Sequence, residues 1–353
     1  MKTKLVKSTY SADDCIFLLK DLTGIMNDVS LEEKERRIQS GINYSEMICK
    51  EESVGTEINT IFQQMLSEKS EELAKYISSI CAQVYTQKGK DIVIVSLARA
   101  GSPVGVLMRR YFQYKYQLDI PHYSISIIRD KGIDENALHY IRKNHPQKQM
   151  IFVDGWTGKG SITSELRKSI NQYNKKYGTN IDDGLVVLAD PAKKSAISGT
   201  KKDVCIPNAC LNSTVSGLVS RTIHNAEFVH TDEFHGAKYF AHLENEDFSN
   251  LFIHEVEKGF SKESEEYTEA CDEEYVNRVI SQLKKDFPRL HSQKIKLSIG
   301  ETSRAVIRRK PKIILVKNLD NPDLKFILHM AKEKNIEVKE YDTQEYACIG
   351  ILE

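Results

Sequence analysis

Asp154 is the residue whose surroundings most plainly suggest chemistry. It follows an apolar run at 150–153 that reads as a short buried strand, and it precedes Gly155-Trp-Thr-Gly-Lys-Gly160 and Ser161. In an open parallel sheet, ligands bind outside the carboxyl ends of the strands. A glycine-rich loop running into a helix offers bare backbone N–H groups to an anion, and Ser161 is placed to cap that helix. The spacing excludes a nucleoside-triphosphate P-loop, because Ser161 stands where the lysine is required and Lys159 comes one residue early. The dinucleotide pattern Gly-x-Gly-x-x-Gly is two-thirds present, with Thr163 at the last glycine. Two more loops follow separate apolar runs: Ser96-Leu-Ala-Arg-Ala-Gly-Ser-Pro103 after 92–95, and Arg129-Asp-Lys-Gly132 after 123–128. Three such loops at one sheet mouth suit a ligand with several anionic groups.

The apolar strand, the acid and Thr157-Gly-Lys-Gly-Ser161 resemble the phosphoribosyl pyrophosphate (PRPP) motif of type I phosphoribosyltransferases. That resemblance implies that Asp154 holds ribose hydroxyls while Thr157, Gly158, Lys159, Gly160 and Ser161 hold the 5′-phosphate. The family usually has two adjacent acids, and here Gly155 follows Asp154. Ala98, Arg99, Ala100 and Gly101 resemble the pyrophosphate loop of uracil-type members, and Arg129 with Lys131 resembles the basic loop that closes over it. Arg99, Arg129, Lys131 and Asp154 would then be catalytic, with Mg²⁺ bound through the pyrophosphate. Such a transfer is driven largely by fixed charges at the leaving group.

These loops need strands to carry them. Alternation of apolar runs (92–95, 123–128, 150–153, 185–188 and 204–206) with helical patterns argues for an α/β fold built on a parallel sheet. Capping-box patterns at Ser11 and Ser30 and apolar stripes from Ile58 to Val84 make residues 1–90 a helical N-terminal extension. Residues 91–260 form the phosphoribosyltransferase-like domain. Residues 261–290, with seven acids between Glu263 and Glu274, read as a linker helix. Residues 291–353 form a small α/β unit with 12 basic against 9 acidic residues.

The 353 residues carry 50 basic and 50 acidic side chains, which excludes a protein that coats nucleic acid over its whole surface. No apolar run approaches the ~20 residues needed to span a bilayer. Seven scattered cysteines without a Cys-x-x-Cys pair suit a reducing, cytoplasmic setting and no structural metal.

Downstream, residues 206–222 are dense in small hydroxyl side chains, and His230-Thr-Asp-Glu-Phe-His-Gly-Ala-Lys238 follows. With the PRPP-like stretch these resemble a bacterial phosphoribosyltransferase family encoded near tellurium-resistance genes. That family carries a C-terminal Pelota-like RNA-binding domain and is also labelled a StiP cysteine protease. The resemblance implies an acceptor side at Asp190, Asn212, Ser213, Thr214, Arg221, His235 and Lys238. In the C-terminal unit, Gly300, Glu301, Thr302, Arg304, Arg308 and Arg309 resemble the RNA-contacting turn of Pelota and ribosomal L7Ae domains, where Arg and Lys supply phosphate contacts.

The expected function is therefore a PRPP-dependent phosphoribosyltransferase with an RNA-binding module, acting in a stress-associated, nucleoside-like pathway. Its partners would be PRPP, a nucleobase-like or RNA acceptor and RNA, with no membrane and with a homodimer as the open oligomeric option. Two alternatives stand beside it. One is a cysteine protease using Cys210 with His224, His230 or His235 and Asp232. The other is a PRPP or nucleotide sensor that only binds.

Overall fold

The computed structural model describes residues 3–263, 267 and 269–352. Glu265 and Glu266 of the acidic run, and the terminal residues Met1, Lys2 and Glu353 of the outer units, lie outside the described residues. In chain order the elements begin with β1 (Ile16–Phe17), β2 (Lys20–Asp21), α1 (Leu31–Gln39), α2 (Thr56–Lys88), β3 (Ile92–Leu97), α3 (Gly101–Tyr111) and β4 (His122–Ile125). There follow β5 (Ile127–Ile128), β6 (Gly132–Ile133), α4 (Glu135–Asn144), β7 (Gln149–Trp156), α5 (Ser161–Tyr177), β8 (Leu185–Ala189), β9 (Ile197–Thr200), β10 (Gly236–Ala237) and α6 (Ser249–Glu257). The chain then runs through α7 (Tyr275–Asp286), β11 (Ile295–Leu297), α8 (Ile299–Arg308), β12 (Ile313–Val316), α9 (Lys325–Glu333), β13 (Glu337–Glu340) and β14 (Cys348–Ile351).

The larger unit is an α/β fold on a six-stranded sheet, order β1-β4-β3-β7-β8-β9, with every pairing parallel. Residues 92–95 are 0% exposed, as a strand covered on both faces requires. The expected helix at 15–19 is instead extended. Cys15, Phe17 and Leu19 enter one core cluster while Ile16 and Leu18 enter the other, so the run has a period of two. The two apolar stripes after Ile58 merge into the single long helix α2. Residues 204–206 form no strand; the sixth strand is β9.

The smaller unit has a mixed sheet, order β11-β14-β12-β13. Helix α7 is no free linker: Tyr275, Val276, Val279 and Leu283 pack with Ile295, Leu297, Leu315 and Ile349 of this sheet. The two units share a core, because Met65, Cys205 and Cys210 cluster with Ile299, Val306 and Phe326. Among the described residues no helix is long and apolar enough to cross a membrane.

Candidate functional site

The glycine loop lies where α8 of the smaller unit meets β7. The strand runs on through Asp154 to Trp156, so the acid sits within it rather than at its end. Gly160, at φ +75°, takes the cap position expected of Ser161, which becomes the first helical residue. A cavity of about 320 Å³ opens here, lined by Asp154, Thr157 and Lys159, by Arg129, and by Lys296, Glu301 and Arg304 of the smaller unit. Burial pushes the Asp154 carboxyl up to about 6 and the Lys159 ammonium down to about 8.

Two glycines make this approach possible. A Cβ on Gly300 would meet Trp156 Nε1 at 2.2 Å, and one on Gly158 would meet Glu301 Cγ at 2.3 Å. Arg304 stacks over the Trp156 ring at 4.5 Å. Tyr346 donates its hydroxyl to the Gly158 carbonyl at 2.8 Å, and Lys159 donates to the Ser292 carbonyl. Asp203, pushed up to about 7 by burial, accepts the backbone N–H groups of Ile299 and Ala347. The domain interface thus occupies the mouth of the loop.

The other residues singled out in the sequence scatter over several sites. Ala100 lines the cavity, whereas Gly101 packs on β7, where a Cβ would sit 2.2 Å from the Val153 carbonyl. Thr157 donates to Asp190, whose fully buried carboxylate also takes Lys201 Nζ at 2.6 Å and the Ser195 N–H and hydroxyl. Asp190 is therefore enclosed in a structural network. His235 is buried between Ser126, Asp134 and the stacked His224 ring, and burial pushes it down to about 3. Lys238 pairs with Asp28, Lys131 with Glu46. Thr214 is buried, and Thr302 bridges Lys296 and Gly350 inside the smaller unit.

Arg99 and Arg221 belong to a second cluster, around residues 44–51. Arg99 pairs with Glu51 at 2.9 Å and donates to the Val219 carbonyl; the second Glu51 oxygen accepts the N–H and hydroxyl of Ser213. Arg221 lies over the Tyr44 ring at 5.3 Å and donates to the Met47 carbonyl. From the smaller unit, Arg308 donates to Asn212 Oδ1 at 2.7 Å and Arg309 pairs with Glu35 at 3.3 Å. The basic run expected to face RNA therefore turns its Arg304, Arg308 and Arg309 side chains toward the larger unit.

All seven cysteines are free thiols. Cys210 is fully buried in the interdomain core, and its expected partner His235 is committed to Ser126 and Asp134 while His230 and Asp232 are exposed elsewhere. Cys15 does meet an imidazole, His122 Nε2 at 3.8 Å, but both are under 5% exposed. Burial there raises the thiol and pushes His122 down to about 4, which opposes an ion pair. Cys49 differs. It is partly exposed, its thiol donates to the Ser30 carbonyl at 3.7 Å, which also accepts the Lys34 N–H at 3.0 Å, and Arg221 donates to the Met47 carbonyl two residues earlier. Burial, then Arg221, lowers the Lys34 ammonium from its ordinary value. Nothing in the spacing of Lys34, Cys49 and Arg221 marks them as neighbours, since they come from three segments. Among the described residues no group of three or more metal-ligating side chains forms.

Residues 8–257 match the family model of "Tellurite-like stress resistance cysteine protease StiP", and residues 275–353 match "PELOTA RNA binding domain". A protein of Acinetobacter baylyi named "Cysteine protease StiP" is 33% identical over 340 residues, covering 92% of this chain and 88% of its own. These matches overturn the expected PRPP-dependent phosphoribosyltransferase: the family and the relative are both named as cysteine proteases. The transferase expectation rested on three loops and a family resemblance; of these, the glycine loop lies against α8, with Gly300 at Trp156 and Arg304 over its ring. The chain belongs to the StiP tellurite-like stress resistance family and carries a Pelota RNA-binding domain at its C-terminal end.

Proposed function

We propose that the chain is a cysteine peptidase whose nucleophile is Cys49 and whose proton acceptor is Lys34. The observation that carries this reading is the setting of Cys49: it is partly exposed, and its thiol and the Lys34 N–H converge on the Ser30 carbonyl, at 3.7 and 3.0 Å, at the head of α1. The thiolate is the form that attacks, and a lysine whose ammonium is lowered by burial can serve as a base. Lys34 takes the thiol proton, the thiolate adds to the peptide carbonyl, and the C–N bond breaks as Lys34 returns the proton to the leaving amine. Water then cleaves the thioester by the same route. Kinetics on three variants test it. Cys49→Ser should lower peptide hydrolysis at least ~100-fold and Lys34→Met by ~10²–10⁴-fold, the usual worth of a positioned proton acceptor, while Cys210→Ser should stay near wild type. Loss confined to Cys210→Ser would return the nucleophile to that residue.

A second reading concerns the smaller unit. Its family description names RNA, and Lys310 and Lys312 form an exposed basic edge beside Arg309, which pairs with Glu35. We propose that this edge binds RNA; removing its charges should flatten the log–log salt dependence of binding by ~0.7 for each phosphate that is no longer neutralised.

A further inference from the structure

The cavity between the two units is lined by four cations, Arg129 and Lys159 of the larger unit and Lys296 and Arg304 of the smaller, and by the acids Asp130, Asp154 and Glu301. Among the described residues none of the four cations belongs to an ion pair. Lys159 donates to the neutral Ser292 carbonyl, Lys296 to that of Gln293 at 3.3 Å, and Arg304 lies over the Trp156 ring. The basic edge of the smaller unit leads into this cavity. Strand β11 lies at the edge of its sheet and pairs with β14 on one side. Lys312 donates its N–H to the Ile351 carbonyl at 2.7 Å, Leu352 donates its own to the Lys294 carbonyl at 2.9 Å, and Lys296 stands opposite Gly350. These pairings set Lys312, Lys294 and Lys296 in succession along the end of β14. Lys294, Lys310 and Lys312 are exposed, and no acidic residue occurs between Glu301 and Asp320.

We infer that a single strand of RNA follows this line, from Lys310 and Lys312 past Lys294 into the cavity, where Lys296, Lys159 and Arg129 take its phosphates. The inference rests on the RNA reading of the basic edge and extends that surface to the larger unit. A backbone with a negative charge at every nucleotide suits cations set out in a line across two units. The contact is made to phosphates and not to bases. Trp156, the one aromatic side chain lining the cavity, already has Arg304 over its ring and Gly300 against its Nε1, which leaves it occupied as a stacking platform. Phosphate contacts fix the position of a strand without reading its sequence.

A salt series with the full-length protein and a fluorescent single-stranded RNA tests this. Arg129 is the decisive position. Its backbone N–H bonds to Tyr44 Oη at 3.1 Å and its side chain makes no hydrogen bond among the described residues, so Arg129→Gln removes a charge and no structural bond. That variant, and Lys312→Gln at the other end of the line, should each lower the log–log salt slope by ~0.7 and the affinity ~5-fold at ~0.1 M salt. U-rich and A-rich strands should bind alike, and a clear preference between them overturns the phosphate contact. A slope that falls with Lys312→Gln but not with Arg129→Gln confines RNA to the smaller unit; it overturns this inference and leaves the reading of the edge intact. A slope that falls with Arg129→Gln alone breaks the line and overturns it as well. If neither variant changes the slope, both readings fall. An acidic peptide that displaces the RNA, and whose own binding weakens in Arg129→Gln, gives the cavity to a protein partner and overturns the inference.

Discussion

Replacing Asp203 by Asn should reverse the order of stability of the two proteins between acid and alkaline pH. The wild-type carboxylate is buried at the domain junction and accepts the N–H groups of Ile299 and Ala347, the latter at 2.8 Å. Asn can keep its oxygen at the Oδ2 position, which accepts both N–H groups, but its N–H₂ then replaces Oδ1 and faces the Ile299 N–H, donor against donor. That mismatch costs about 1–3 kcal/mol at every pH. The wild type carries a different penalty. Burial pushes Asp203 from 3.8 to about 7, so the folded state holds its proton more tightly than the unfolded chain. Its contribution is complete below about pH 4 and is lost as pH rises through about 7, a swing on the order of 4 kcal/mol. Asp154 and Asp134 are also raised, but they are present in both proteins and cancel in the difference. Trp156, the single tryptophan, lies under Arg304 at the junction and reports docking by its fluorescence. Urea titrations followed at Trp156 should find the Asn variant weaker at pH 4 and equal or stronger at pH 8. A gap that is constant across this range would refute the reasoning.

Gly300→Ala should loosen the docked domain by about 1–3 kcal/mol, since its Cβ would fall 2.2 Å from Trp156 Nε1, and a red shift of Trp156 emission checks it. Lys201→Met leaves the Asp190 carboxylate buried without its cation and should cost about 3–5 kcal/mol in thermal or urea unfolding. Cys210→Ser should retain activity yet lower stability by about 1–3 kcal/mol, because a hydroxyl enters a fully buried apolar cluster; unfolding and peptide hydrolysis are measured on one preparation.

The parallel sheet is legible in the sequence because its strands are apolar on both faces, as residues 92–95 and 185–188 show. The helix after the glycine loop is equally plain, with Gly178 in the left-handed conformation closing it. Residues 15–19 mislead because a short apolar run buried on both faces looks alike in a strand and in a core helix. Helix α8 is harder to see although Ser298 caps it through the Glu301 N–H, since its glycine and arginines resemble an RNA-facing turn. The role of those side chains is illegible for a deeper reason. Gly158 with Gly300, and Arg308 with Asn212, are pairings between distant segments that only docking of the two units brings together. Lys34 and Cys49 lie within one unit but share no periodic pattern; the Cys49 thiol and the Lys34 N–H converge on the Ser30 carbonyl at the head of α1.

The assignment of Cys49 is tested most directly by covalent trapping. The wild type is treated with a panel of peptidyl chloromethyl ketones, then digested and mapped by mass spectrometry. The account expects one adduct per chain, on Cys49, formed in step with loss of peptide hydrolysis and suppressed in Lys34→Met. An adduct on Cys210 or Cys271, or hydrolysis that persists after Cys49 is fully modified, would contradict it.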